Sequence, residues 1–159
     1  MRALDGRETN AVFVDFGSGL GRILILAGMH SFRKVIGVEI SQQLSQLAER
    51  TIDTVRRKLE CRSVETVACD ASAYAVPLDA TILYFARPFS GHVLDAVLEN
   101  IKKSLVKQPR QILLLSYNYN SDLSFEEQIQ KAAWLRPSKK IVLGYGATGW
   151  IYENTAWRN

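Results

Sequence analysis

The stretch Val12-Phe13-Val14-Asp15-Phe16-Gly17-Ser18-Gly19-Leu20-Gly21-Arg22 constrains the fold more than any other part of the chain. Its Val- and Phe-rich apolar run reads as a buried strand. Three glycines at alternate positions then supply a turn whose backbone can take positive φ and approach a ligand with no Cβ in the way. Beyond them Leu20, Ile23, Leu24 and Ala27 fall at helical spacing. Strand, glycine-rich turn and helix N-terminus in this order make a nucleotide-cofactor site at the carboxyl end of a first β-strand.

A chain of 159 residues, 47% hydrophobic and 23% charged, suits one domain spanning residues 1–159. No window approaches the roughly 18 uninterrupted apolar residues of a membrane span, and the polar segment Met1 to Asn10 is no signal peptide. Cys61 and Cys69 read as reduced thiols of a cytoplasmic protein, with no disulfide or metal role. A net charge of +4, scattered in groups of two or three, permits an acidic partner but does not argue for nucleic acid, which is not an expected partner.

Further along, Lys34–Ile40 reads as a second buried strand with Glu39 near its end, and Ser41 as the cap of a helix with Leu44, Leu47, Ala48, Ile52, Val55 and Leu59 on one face. Val64–Cys69 is a third strand that stops at Asp70. Ala80–Phe85 is a fourth, and a helix with Val93, Leu94, Val97, Leu98, Ile101 and Leu105 follows it. Gln111–Tyr117 is a fifth strand, too apolar to be exposed on either face. Ser124 and Glu127 form a capping box for a helix reaching about Trp134, which Arg136-Pro137-Ser138 breaks. Two short strands end the chain, Ile141–Tyr145 and Trp150–Glu153. The segment Gly146-Ala147-Thr148-Gly149 between them is too short for a helical crossover, so they pair antiparallel.

The glycine turn departs from the dinucleotide fingerprint. Arg22 stands where a small residue should let the helix pack on the strand, and the third glycine comes one residue early. Asp15 would repel a pyrophosphate but suits a ligand carrying a cationic amine. The pattern Asp15, Gly17, Gly19, Gly21 resembles motif I of the class I S-adenosylmethionine (SAM) methyltransferases. Five β/α units and a terminal antiparallel hairpin resemble their doubly wound, mostly parallel seven-stranded α/β sheet, order 3-2-1-4-5-7-6. The resemblance runs from Ala11 to about Asn154 and implies SAM as cofactor. It implies that Asp15 helps hold the methionine ammonium, that the backbone of Gly17, Ser18, Gly19 and Gly21 lines the amino-acid moiety, and that Glu39 accepts from the ribose hydroxyls. Asp70 would accept from the adenine amino group, with the Ala71 amide at the ring edge. Each acid also has a bland role, capping a turn or ending a strand.

The methyl acceptor is far less legible. Amino-group methyltransferases of this superfamily carry an Asp or Asn before Pro-Pro-aromatic after strand 4. Here Ala86-Arg87-Pro88-Phe89 offers no acceptor side chain, because Arg is a donor only. Tyr84 to Phe89 resembles a Tyr-x-x-Asn-Pro-Phe pattern of small bacterial methyltransferases of unassigned substrate, with Arg87 in place of Asn. The rim candidates are Arg87, Pro88, Phe89, Tyr117, Asn118 and Tyr119, at the ends of strands 4 and 5. Neither His30 nor His92 is convincing as a general base, and no catalytic residue is assigned. About ten residues precede strand 1, so most of the usual N-terminal lid is expected to be absent. A second copy or a protein partner would then cover the open cofactor face. The leading reading is a SAM-dependent methyltransferase; the alternative is a SAM-binding partner module that transfers nothing. A nicotinamide-dependent oxidoreductase ranks third, disfavoured by Arg22 and the terminal hairpin.

Overall fold

The structure, a computed structural model, describes residues 6, 9–118, 124–142 and 147–155. Its strands are β1 (Val12–Phe16), β2 (Lys34–Glu39), β3 (Val64–Ala68), β4 (Ala80–Phe85), β5 (Leu113–Asn118), β6 (Leu135–Val142) and β7 (Thr148–Asn154). They form one sheet in the order β3-β2-β1-β4-β5-β7-β6, the order that the methyltransferase resemblance implies. The first five strands run parallel, and β7 lies antiparallel between β5 and β6. The helices are α1 (Arg22–Gly28), α2 (Gln42–Val55), α3 (Gly91–Lys107) and α4 (Ser124–Gln130).

Alternation along the strands makes two cores. Val12, Val14 and Phe16 of β1 join Leu83 and Phe85 of β4 and the apolar faces of α3 and α4, where Phe16 stacks on Phe85 at 4.8 Å between centroids. Phe13, Val35 and Ile82 point the other way, towards Leu24 and Ala27 of α1 and Ile52 of α2. Because β1 is central and β4 turns the winding the other way, the carboxyl ends of β1 and β4 border the crevice where such sheets bind ligands. No helix among the described residues is long and apolar enough to cross a membrane.

Several local expectations are corrected. Leu20 belongs to the turn and is 45% exposed; α1 begins at Arg22. The second strand ends at Glu39, leaving Ile40 exposed. Helix α4 stops at Gln130 instead of reaching Trp134, and Ser124 is its first residue. The larger correction concerns β6. Arg136-Pro137-Ser138, expected as the break after a helix, lies inside an eight-residue strand that begins at Leu135 and not at Ile141. Pro137 is tolerated because β6 is the sheet edge and the register shifts between Pro137 and Lys139. Edges and bulges are the places where a missing N–H breaks no ladder bond. Thr148 and Gly149, expected in the turn, pair with Val142 and Ile141, while Gly146 and Tyr145 lie outside the described residues.

Candidate functional site

The turn between β1 and α1 is held by its own backbone. The Gly17 and Ser18 amides donate to the Val38 carbonyl at 2.8 and 3.1 Å, and the Gly21 amide donates to Ser18 O at 2.9 Å. Gly17, Gly19 and Gly21 all have positive φ. A Cβ on Gly17 would lie 2.2 Å from Cβ of Pro88, and one on Gly21 would lie 2.9 Å from Cβ of Ala48. These two glycines therefore let the β4 loop and α2 close on the turn. Gly19 differs: no neighbour lies within 4 Å of its would-be Cβ. Gly19 is the glycine that faces space for a ligand.

Glu39, nearly buried, accepts from the Gly19 amide and the Ser41 amide, both at 2.9 Å. It thereby ties the glycine turn to the start of α2, whose cap is Ser41, with the Leu44 amide donating to Ser41 Oγ at 3.3 Å. Asp15 sits across from Gly37 in the β1–β2 register, only 2% exposed. Burial, and secondarily the charge of Glu39, push its carboxyl up to about 7. No hydrogen bond or salt bridge among the described residues serves the Asp15 carboxyl, although the residue's backbone is paired with both neighbouring strands. It lines a cleft of ≈ 380 Å³ with Gly17, Ser18, Leu20, Arg22, Ile23 and Ala86. The Ser18 hydroxyl beside it is buried without a partner.

Asp70 is exposed at the end of β3. Its Oδ1 accepts from the Ser72 amide and hydroxyl at 2.8 and 2.7 Å, which hold the carboxyl below the usual range. It caps the short 3₁₀ turn Ala71–Ala73, so the bland role assigned to it is present, and the exposed first-turn residue His92 lies near enough to favour its charge. Ala71 is buried.

The rim candidates separate into three groups. Phe89 packs edge-on against Phe85 and belongs to the core. Pro88 closes on Gly17. Arg87 has φ 50°, a conformation uncommon outside glycine, and its Nη1 donates to Asn118 Oδ1 at 3.5 Å. Asn118, fully buried, donates through Nδ2 to Glu126 Oε2 at 3.2 Å, and Ser116 Oγ donates to Glu126 Oε1 at 3.2 Å. Glu126, 2% exposed, is a buried carboxylate that sequence reasoning missed. Its signal was the pair Ser116 and Asn118, polar residues on the core-facing parity of β5 that needed an internal partner. Tyr117 is half-buried on the opposite sheet face, the one Asp15 and Tyr84 share, and Tyr119 lies outside the described residues.

The structure thus brings Asp15, Glu39, the glycine turn and Ala86 together and sets Arg87 and Asn118 at the adjoining rim. Asp70 and Ala71 stand at the end of the neighbouring strand pair. Cys61 and Cys69 are free thiols, and no metal-type cluster of His, Cys, Asp or Glu occurs among the described residues.

The model of the family described as histone methylation protein DOT1 matches residues 6–73, the segment that carries Asp15, the glycines, Glu39 and Asp70. A search of curated proteins finds no match to this chain. Among solved structures the chain resembles a SAM-dependent methyltransferase from Aquifex aeolicus, with TM-score 0.71 and 15% identity over 97% of this chain and 88% of that one. It also resembles an RNA methyltransferase from Salinibacter ruber in complex with S-adenosyl-L-homocysteine, with TM-score 0.67 and 20% identity over 99% and 90% of the two chains. A TehB-like SAM-dependent methyltransferase from Corynebacterium glutamicum is similar over 97% and 86%, with TM-score 0.67 and 16% identity. The chain has the class I, Rossmann-like fold of the S-adenosylmethionine-dependent methyltransferases.

Proposed function

We propose that the chain binds S-adenosylmethionine in the cleft at Asp15 and transfers its methyl group to an acceptor at the rim formed by the ends of β4 and β5. The carrying observation is Asp15: a carboxyl almost completely buried, without a cationic partner, beside a second carboxylate, and lining a cleft. Such a group calls for a cation. A zwitterionic amino-acid end supplies one, and Arg22 on the same cleft supplies the counterpart for its carboxylate. The space above Gly19 receives the chain of the ligand, and Glu39 and Asp70 reach its ribose and adenine. Bound SAM supplies an activated methyl carbon; the protein's work is to align the acceptor with it and exclude water. S-adenosylhomocysteine keeps the ammonium, carboxylate, ribose and adenine, so calorimetry with it tests the site directly. Mass spectrometry of small molecules released from the purified protein is the complementary check. Release of SAM or its demethylated product supports the reading, and release of NAD overturns it.

Glu39 offers a sharper test. Glu39→Ala should weaken SAM by ~1.5–3 kcal/mol, the range for hydrogen bonds to charged groups. An analogue lacking both ribose hydroxyls should be affected much less. Because Glu39 also holds the Gly19 and Ser41 amides, equal losses for both ligands would assign it to the turn and not to the ribose.

A second reading, a SAM-binding module that transfers nothing, is favoured by the β4 loop, where Arg87 stands in place of a hydrogen-bond acceptor and Pro88 closes on the turn. Transfer of labelled methyl from SAM to any acceptor excludes it. On either reading the sheet face carrying Tyr84, Leu115 and Tyr117, all only partly buried, is the surface a second copy or a partner would cover. Light scattering over a dilution series should then show self-association or, for a separate partner, a monomer that binds SAM weakly. Micromolar SAM binding by a strict monomer would defeat this.

A further inference from the structure

Away from the cofactor cleft, a second concavity of ≈ 350 Å³ lies between α3 and the loop that leads from β3 to β4. Lys103, Ser104 and Lys107 follow Asn100 at the spacing of one helix face, and all four line it. The loop wall contributes Val76, almost buried, and Leu78, 43% exposed. None of the residues lining the cofactor cleft takes part.

The loop is pinned to the helix at both ends, so the concavity is preformed. Asn100 Nδ2 donates to the Ser72 carbonyl at 2.7 Å and to the Tyr74 carbonyl at 3.5 Å. Further along, Ser104 Oγ and Arg110 Nη2 donate to the Pro77 carbonyl at 3.4 and 3.1 Å. These groups serve the backbone. The charge of the concavity comes from Lys103 and Lys107, both exposed.

That charge has one sign. Loop residues 71–78 include no acid, and neither lysine joins an ion pair among the described residues. The acids nearest in the chain are engaged elsewhere. Asp70 holds Ser72, and Asp79 is paired with Arg33 at 2.6 Å. Glu99, one turn before Lys103, lines the groove on the other flank of α3 with Asp95. The last carbonyls of a helix oppose an anion, but here Ser104 O and Gln108 O accept from Arg110 Nη1 at 3.2 and 3.0 Å. A guanidinium thus sits at the negative end of α3.

We propose that this concavity is a second ligand site, for a small organic phosphomonoester: the phosphate lies between Lys103 and Lys107, and the apolar part lies on Val76 and Leu78. Residues one helical turn apart have Cβ atoms ~5–6 Å apart, close enough for two ammonium groups to share one phosphate, which lysine binds as a point charge. A phosphomonoester carries about two charges at neutral pH, one for each lysine, where a carboxylate carries one. The volume falls in the ~300–1,000 Å³ of small-molecule sites. The inference does not use the methyl-transfer reading.

The test is calorimetry of the whole chain with phenyl phosphate, without SAM, at low salt and neutral pH. Phenyl phosphate is expected to bind more tightly than inorganic phosphate, which lacks the apolar part, and than benzoate, which lacks the second charge. Lys103→Gln/Lys107→Gln should weaken it by about tenfold or more, since hydrogen bonds between charged groups are lost. Leu78→Ser should narrow its advantage over inorganic phosphate. Lys102→Gln/Lys131→Gln, in the groove on the other flank of α3, should change neither. No binding at millimolar phenyl phosphate, an equal loss in the Lys102/Lys131 variant, or equal affinities for phenyl and inorganic phosphate would overturn the proposal. So would displacement by S-adenosylhomocysteine, which would put the phosphate in the cofactor cleft. Because SAM is absent, failure here leaves the methyltransferase reading standing, and failure of SAM binding leaves this one standing.

Discussion

Asp15→Asn should make the ligand-free protein more stable at pH 8 and unable to hold S-adenosylmethionine. The Asp15 carboxyl is pushed up to about 7 by burial first and by Glu39 second. In the unfolded chain it titrates in the ordinary carboxylate range, so between the two values the folded state keeps a proton that the unfolded state has released. Its contribution to stability is therefore fully present below the unfolded value and lost as pH rises through about 7. At pH 8 the folded protein carries an ionised, buried carboxylate without a counter-ion. Removing that charge should raise stability by up to about 4 kcal/mol, at ~1.4 kcal/mol for each of the roughly three pH units between the two values. The same substitution deletes one partner of a buried charge pair with the ligand's ammonium, a loss of ~2–5 kcal/mol in affinity. In the unsubstituted protein, affinity for S-adenosylhomocysteine should be level above about pH 7 and fall below it as Asp15 takes up its proton. Denaturant titrations at pH 5 and pH 8, paired with calorimetry, check both halves. A variant that loses stability at pH 8 and keeps its affinity would show that Asp15 serves the fold.

That opposition explains why the cofactor half was the legible half. An acid two residues before a glycine turn, inside an apolar strand, contradicts the local rule that buried positions are apolar, and such contradictions collect at functional sites. Strand patterning gave β1 to β5, most of them nearly continuous apolar runs between marked turns, while β3 is half-exposed; their order came from the resemblance to the class I methyltransferases. The edge was illegible by those rules. β6 contains Arg136, Pro137, Ser138, Lys139 and Lys140, all exposed, so nothing in its composition distinguishes it from a loop. Only pairing with β7 makes it a strand. The acceptor side was hidden differently. Glu126 reads as one acid in the run Glu126-Glu127. What buries the first and exposes the second is the rotation of a seven-residue helix against Ser116 and Asn118. Arg87 takes φ 50° immediately before Pro88, which lies against Gly17, and neither feature is marked by composition or periodicity.

Gly17→Ala should disrupt the site through packing, whereas Gly19→Ala should disturb it only locally. Both glycines have positive φ, so both substitutions incur the ~1–2 kcal/mol that an L side chain meets in a left-handed conformation. At Gly19 the new methyl enters open space and the strain ends there. At Gly17 it would sit 2.2 Å from Pro88 Cβ and 3.3 Å from Pro88 Cα, so backbone has to move. Overpacking of this kind adds ~1–3 kcal/mol, which brings Gly17→Ala to about 2–5 kcal/mol in all. The movement has a direction: Pro88 can retreat only by dragging Arg87 away from Asn118, to which it is bonded at 3.5 Å. Gly17→Ala is therefore expected to lower stability by about twice as much as Gly19→Ala and to weaken any rim-dependent transfer even where cofactor affinity survives. Gly19→Val, with a bulkier group in the same open space, should keep the fold and lose the cofactor. Thermal melts and calorimetry on the three variants separate the cases. If Gly17→Ala and Gly19→Ala melt together, Pro88 does not close on the turn in solution, and the coupling between cofactor turn and acceptor rim is absent.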